Sequence, residues 1–211
     1  MRLFIAIRFD DNILNSLTAY QDSLKGLGVT GNYAKRDNLH ITMAFIGDYE
    51  DPDKVLAAMK HVGFRPIKIS LDGTGSFGDL FWVGLSDNYQ LAGYVKRLRK
   101  ELYANEIPFD RKRFSPHITL IRKCSFSGND ETIMPDPPKG NMTATRVSLM
   151  RSERGENGMI YTEIGFVGAV FFHGLTEGNS LKRCFRSDVV LAVFREDRRQ
   201  HIFQYFKYII F

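Results

Sequence analysis

The stretch "FSPHITLIRK", Phe114–Lys123, decides how this chain folds. Ile118 and Leu120 alternate with His117 and Thr119, and successive side chains on a strand point to opposite faces. The pattern therefore predicts a strand that hides the two aliphatic residues and presents the two polar ones. "NLHITMAFIG", Asn38–Gly47, repeats the His-Ile-Thr core 77 positions earlier, with His40 and Thr42 on one face and Ile41 and Met43 in the core. A single His-x-Thr on a strand is most often a core histidine with satisfied hydrogen bonds. Two copies, one per half, ask for a chemical explanation.

Outward from these strands the chain alternates elements. "LFIAIRF", Leu3–Phe9, predicts a buried strand. Asp10 or Asp11 then caps a helix with Ile13, Leu14, Leu17, Tyr20, Leu24 and Leu27 at helical spacing, and Gly26 or Gly28 stops it. After the first His strand, Asp51-Pro52 opens a second helix with Val55, Met59 and Val62 on one face. "PIKISLDG" and "LFWVGLS" predict a hairpin, and Leu91, Val95, Leu98 and Leu102 space out a third helix. The second His strand follows, then a surface loop over the breaker-dense Ser127–Asn141, then strands at "TRVSLMRS" and "MIYTEIG". The order looks like an imperfect duplication of one α+β unit. "GTGSFG", Gly73–Gly78, fits a dinucleotide-binding spacing, but a strand and not a helix follows it, so these read as hairpin glycines.

At 211 residues and 44% hydrophobic, the chain suits one well-buried domain, or one domain with an appendage. Cys124 and Cys184 lie far apart with no CxxC spacing, which argues against a disulfide framework or a cysteine zinc site and for a reducing cytoplasm. No segment holds 18 consecutive apolar residues and the start lacks a secretory cleavage site, so stable membrane insertion is not expected. The net charge of +5 is concentrated. Lys96, Arg97, Arg99, Lys100, Arg111, Lys112, Arg113, Arg122 and Lys123 face only Glu101, Glu106 and Asp110 in the same band, which leaves the rest of the chain near neutral. Such a zone suits a polyanion such as RNA, or is simply a solvated face.

If the two halves pack with pseudo-twofold symmetry, two imidazoles and two hydroxyls meet across a cleft. That set suits phosphoryl transfer: one neutral imidazole removes a proton from the nucleophile while one imidazolium protonates the leaving oxygen, and the threonines donate to the phosphoryl oxygens. The motifs bring no third histidine, cysteine or carboxylate at ligand spacing, and His61, His173 and His201 fall outside any pattern, so metal-independent, cofactor-free chemistry is expected.

With "RLFIAIRF", "NLHITMAFIGD", "GTGSFGDLFWVGL", "FSPHITLIR" and "VSLMRSERGENGMIYTEIG" in this order, the sequence resembles the two-histidine phosphoesterases. Within them it is similar to the LigT-like RNA 2',3'-cyclic phosphodiesterases, also called 2'-5' RNA ligases. The resemblance covers residues 1–166. It implies an α+β fold of two pseudo-symmetric lobes with antiparallel-rich sheets around a central cleft. It also implies hydrolysis of 2',3'-cyclic phosphates at RNA or nucleotide ends to 2'-phosphates, and reversible 2'-5' RNA ligation by the same histidines; a monomer is expected. Carried over, His117 is the general base, His40 the general acid, and Thr42 and Thr119 bind the phosphate. Arg122 contacts substrate, Phe45 stacks on a base, and Tyr161 and Ser152 lie in family-like strands. Two other readings stay open: a non-catalytic RNA- or nucleotide-binding module using the same basic cleft, and a purely structural use of both pairs. Residues 167–211 match no family ending, and their "IFQYFKYIIF" terminus reads as packing onto the first domain, an added element, a dimer contact or a surface anchor.

Overall fold

Strand β1 (Arg2–Arg8) pairs with β3 (His40–Asp48) on one side and β8 (Arg146–Gly155) on the other, and β9 (Gly158–Gly168) completes a sheet of order β3-β1-β8-β9. That inner position explains its unbroken run of buried residues, because both faces are covered. Leu3, Ile5 and Ile7 enter the main core, while Phe4 and Ala6 join Met150 on the opposite face, against Phe45 and Tyr161. The computed structural model describes residues 1–86, 89–126, 134–156 and 158–169.

A second sheet contains β2 (Thr30–Tyr33), β6 (Ile118–Ser125), β5 (Leu80–Ser86), β4 (Ile67–Phe77) and β7 (Asn141–Ala144), in the order β2-β6-β5-β4-β7. Every pairing in both sheets is antiparallel. Helix α1 (Asp11–Gly26) starts at Asp10, whose Oδ1 accepts from the Ile13 amide at 3.0 Å. Asp51 caps α2 (Pro52–Val62) in the same way, accepting from the Lys54 amide at 2.9 Å. Helix α2 and α3 (Tyr89–Ala104) pack together and reach β9 and β3 of the first sheet. Helix α1 instead covers the second sheet, where buried Gln21 donates from Nε2 to the carbonyls of Ala34 and Leu120, both at 3.0 Å. Leu27, expected on the apolar face of α1, is 48% exposed because the helix ends one residue before it.

The expected α+β architecture with antiparallel sheets is present, with one lobe per sheet. The lobes are not the two halves of the chain. Strand β2 leaves the N-terminal half to pair with β6, and β8 and β9 return from the C-terminal half to extend β1. The breaker-dense segment also differs from a plain loop, since β7 forms within and just after it and pairs with β4. Residues 127–133 of that segment, the extension from residue 170 onward, and with it Cys184, His173 and His201, lie outside the described residues. Cys124 is a half-buried free thiol, and His61 is exposed beside Glu101 at 3.9 Å.

Candidate active site

Both His-Ile-Thr segments carry the same irregularity. In β3, Ala6 of β1 pairs with Thr42 and Ile5 with Ala44, so Met43 is an extra, unpaired residue. In β6, Trp82 pairs with Thr119 and Phe81 with Ile121, so Leu120 is extra. Each bulge leaves two consecutive residues buried, Met43 and Ala44 in one copy and Leu120 and Ile121 in the other. It also reverses the alternation beyond that point. Strict alternation from the histidines would turn Phe45 and Arg122 away from the His-Thr face. The bulges return both to it, and Phe45 and Arg122 line the same cleft as His40, Thr42, His117 and Thr119.

The two imidazoles are held by one device used twice. His40 donates from Nδ1 to the carbonyl of Asn38, and His117 from Nδ1 to the carbonyl of Ser115, each at 2.7 Å. A carbonyl only accepts, so each neutral ring carries its proton on Nδ1 and keeps a lone pair on Nε2. The Thr42 hydroxyl donates to Nε2 of His40 at 3.1 Å. The carbonyls themselves are fixed differently. Asn38 donates from Nδ2 to the Met159 carbonyl at 2.8 Å, clamping its turn onto the β8–β9 hairpin. Ser115 precedes Pro116, whose ring restricts it to extended backbone.

The environments of the histidines are not equivalent. Burial pushes the His40 imidazolium down to about 4, with Arg122 and His117 adding to the fall and the Asn38 carbonyl opposing it. His40 is therefore neutral near neutrality in the open cleft. That Arg122 and His117 both act on His40 is the electrostatic mark of the two motifs converging. Aromatic rings flank each histidine: Phe4 and Tyr161 lie 4.9 and 5.4 Å from His40, and Phe77 and Trp82 lie 5.2 and 6.4 Å from His117. In each pair one ring stands edge-on, Tyr161 at 88° and Phe77 at 87°.

Glycine has a specific part in holding Trp82. Of the "GTGSFG" glycines, Gly78 sits in the turn with φ of 60° and Gly73 adopts φ of 67° where β4 shifts register against β5. Gly75 does neither. It is a strand residue opposite Trp82, and a Cβ there would meet the indole at 2.4 Å, while one on Gly84 would meet the same six-membered ring at 3.2 Å. All three glycines lie in the β4–β5 hairpin, as expected, and Gly75 in addition makes room for the ring beside His117. Gly75→Ala is expected to cost about 1–3 kcal/mol by overpacking. It should also move the ring resonances of His117. Unchanged melting temperature and an unchanged His117 NMR signal would contradict this account.

The cleft encloses about 960 Å³, within the range of small-molecule and nucleotide sites, and Ser152 and Tyr161 line it as well. Sequence reasoning missed Lys35, Asn38, Met159 and Asp110, which also line it; only Lys35 and Asp110 carried a signal, as charges near the motifs. Among the described residues no three His, Cys, Asp or Glu side chains gather as a metal set would.

Comparison with known proteins gives a consistent picture. The sequence matches the 2'-5' RNA ligase superfamily over residues 9–156. A curated RNA 2',3'-cyclic phosphodiesterase of Methanocaldococcus jannaschii is 28% identical over 176 residues, spanning 78% of this chain and 98% of that protein. One from Archaeoglobus fulgidus is 32% identical over 133 residues, 58% of this chain and 72% of the relative. Among solved structures, Escherichia coli LigT complexed with 3'-AMP superposes with a TM-score of 0.63 at 25% identity, covering 78% of this chain and 95% of LigT. A Thermus thermophilus protein superposes with a TM-score of 0.66 at 24% identity over the same shares, a likeness of fold.

Proposed function

This chain belongs to the 2'-5' RNA ligase superfamily, and from that membership we propose that it is a metal-independent RNA 2',3'-cyclic phosphodiesterase yielding 2'-phosphates. The observation that carries the reading is the pair of His-Thr motifs, each with its imidazole fixed through Nδ1 so that Nε2 faces the cleft, the His40 Nε2 sharing the Thr42 hydroxyl until substrate arrives. Water attacks phosphorus as His117 takes its proton at Nε2. The bond from phosphorus to the 3'-oxygen breaks as protonated His40 supplies a proton to that oxygen. Thr42 and Thr119 donate to the non-bridging oxygens, Arg122 offsets their charge, and Phe45 stacks on the terminal base. The same steps with a 5'-hydroxyl in place of water give a 2'-5' linkage, and their reversal cleaves one to a cyclic phosphate and a 5'-hydroxyl.

One observation favours the exchanged assignment. His40 is held neutral in the open cleft, ready to accept a proton, whereas an acid must already carry one. For His40 to act as the acid, the arriving phosphate anion must supply the stabilisation that burial removes.

Residues 1–166 form the catalytic domain in this reading, although β9 runs on to Gly168, and residues 167–211 are an appended segment. No helix among the described residues is long and apolar enough to cross a membrane. A monomer in the cytoplasm fits the reading.

The test is product analysis after incubation with an oligonucleotide ending in a 2',3'-cyclic phosphate, in EDTA. A 2'-phosphate is expected. A 3'-phosphate would overturn the regiochemistry, and salt-sensitive binding without any product would leave a binding module in its place.

A further inference from the structure

The cyclic phosphate sits at the 3' end of an RNA, so the rest of the strand must leave the cleft on its 5' side. Asp110 lines the cleft, and the next residue, Arg111, lines a second depression of about 460 Å³ with Tyr103, Ala104, Glu106, Ile107 and Pro108. Consecutive Cα atoms are only about 3.8 Å apart. Consecutive residues of one chain segment thus line the two cavities.

The wall between them is anchored at both sides. The Asp110 amide donates to the Phe45 carbonyl of β3 at 2.8 Å, and Arg99 on α3 donates from Nη1 to the Lys112 carbonyl at 2.8 Å. Arg99 also lies 5.9 Å from the Phe109 ring. The Asp110 carboxylate, which would repel an approaching strand, accepts from the Lys112 amide at 3.0 Å and lies 3.7 Å from Lys112 Nζ. This fixed segment displays three consecutive exposed cations, Arg111, Lys112 and Arg113. The Arg111 guanidinium stands 5.5 Å from the ring of Tyr103, which is itself 66% exposed. Neither side chain is spent on the core.

We propose that this depression is a second nucleotide site, in which Tyr103 and Arg111 stack on a base of the RNA strand 5' of the cyclic phosphate while Arg113 meets the adjoining backbone. The proposal rests on the phosphodiesterase reading and narrows its substrate to oligonucleotides over free cyclic mononucleotides. A guanidinium backed by an aromatic ring offers a flat cationic surface that accepts any base, so the site reads chain length and not sequence. Glu106, the one carboxylate lining it, disfavours a free terminal phosphate there.

The experiment compares a 2',3'-cyclic mononucleotide with a short oligonucleotide bearing the same terminus, in the wild-type chain, Tyr103→Ala and Arg111→Ser. Each substitution is expected to raise KM for the oligonucleotide about tenfold, the size of a lost stacking contact, and leave both constants for the mononucleotide unchanged. Equal changes for both substrates, or none for either, would overturn the second site. If the wild type turns over neither substrate, the phosphodiesterase reading falls instead. The affinity of a labelled oligonucleotide, measured by fluorescence anisotropy in the same three chains, then decides the site by the same tenfold criterion.

Discussion

Replacing either His40 or His117 by glutamine lowers kcat about 10²–10⁴-fold, the range for loss of one positioned acid or base. The double substitution is expected to fall little below the worse single one, because two groups that move protons in one transition state do not contribute independently. The folded structure should survive, since both rings line a cleft and neither belongs to the core. Turnover unaffected in either variant would defeat paired acid–base chemistry. The same variants decide the roles. A cyclic substrate with sulfur in place of the 3'-bridging oxygen leaves as a thiolate and needs no proton. It restores activity to the variant lacking the acid and not to the one lacking the base. Rescue of His40→Gln supports the assignment carried over from the family resemblance, and rescue of His117→Gln supports the exchange that the burial of His40 favours.

Acidification gives the second large effect. An unfolded histidine titrates near 6.5, whereas folded His40 titrates at about 4, so between those values the unfolded chain binds a proton that the folded chain does not. Stability tied to His40 is therefore fully present above pH 6.5 and lost as the pH falls toward 4. Integrated over the window it amounts to about 3 kcal/mol. Denaturant unfolding of the wild type and His40→Gln across this window measures it, and subtracting the variant removes the contribution of other titrating groups. Parallel stability curves would mean that His40 is better solvated than the cleft walls imply.

Alternation was enough to read the core of the site. It placed Ile41, Met43, Ile118 and Leu120 inside and the His-Thr pairs together on the other face, because a strand with one buried face leaves little freedom in side-chain direction. The bulges at Met43 and Leu120 could not be read. An extra residue in a strand is defined by what its neighbour pairs with, and Met and Leu look alike in or out of register. Phe45 and Arg122 were reached through family resemblance alone, and local pattern would have turned them away from the cleft. Strands β2 and β7 were missed for a related reason: each is four residues long at a sheet edge, and "TGNY" and "NMTA" have too little apolar content to mark a face. Gln21 was passed over as a polar helix residue, although its buried amide satisfies the Ala34 carbonyl and adds a second bond to the Leu120 carbonyl, which also accepts from the Ala34 amide.

The exchange of strands between the lobes sets when the site can exist. The first sheet needs β8 and β9 beside β1, a pairing between residues near opposite ends of the described chain. Such high contact order delays assembly, because the loop between partners must close before the pairing stabilises anything. During synthesis, β1 and β3 emerge long before β8, and until then β1 exposes an unpaired edge beside Phe4 and Ala6. A nascent chain ending before β8 therefore holds both histidines but cannot fix them across a cleft, so activity should switch on only once β8 and β9 have emerged.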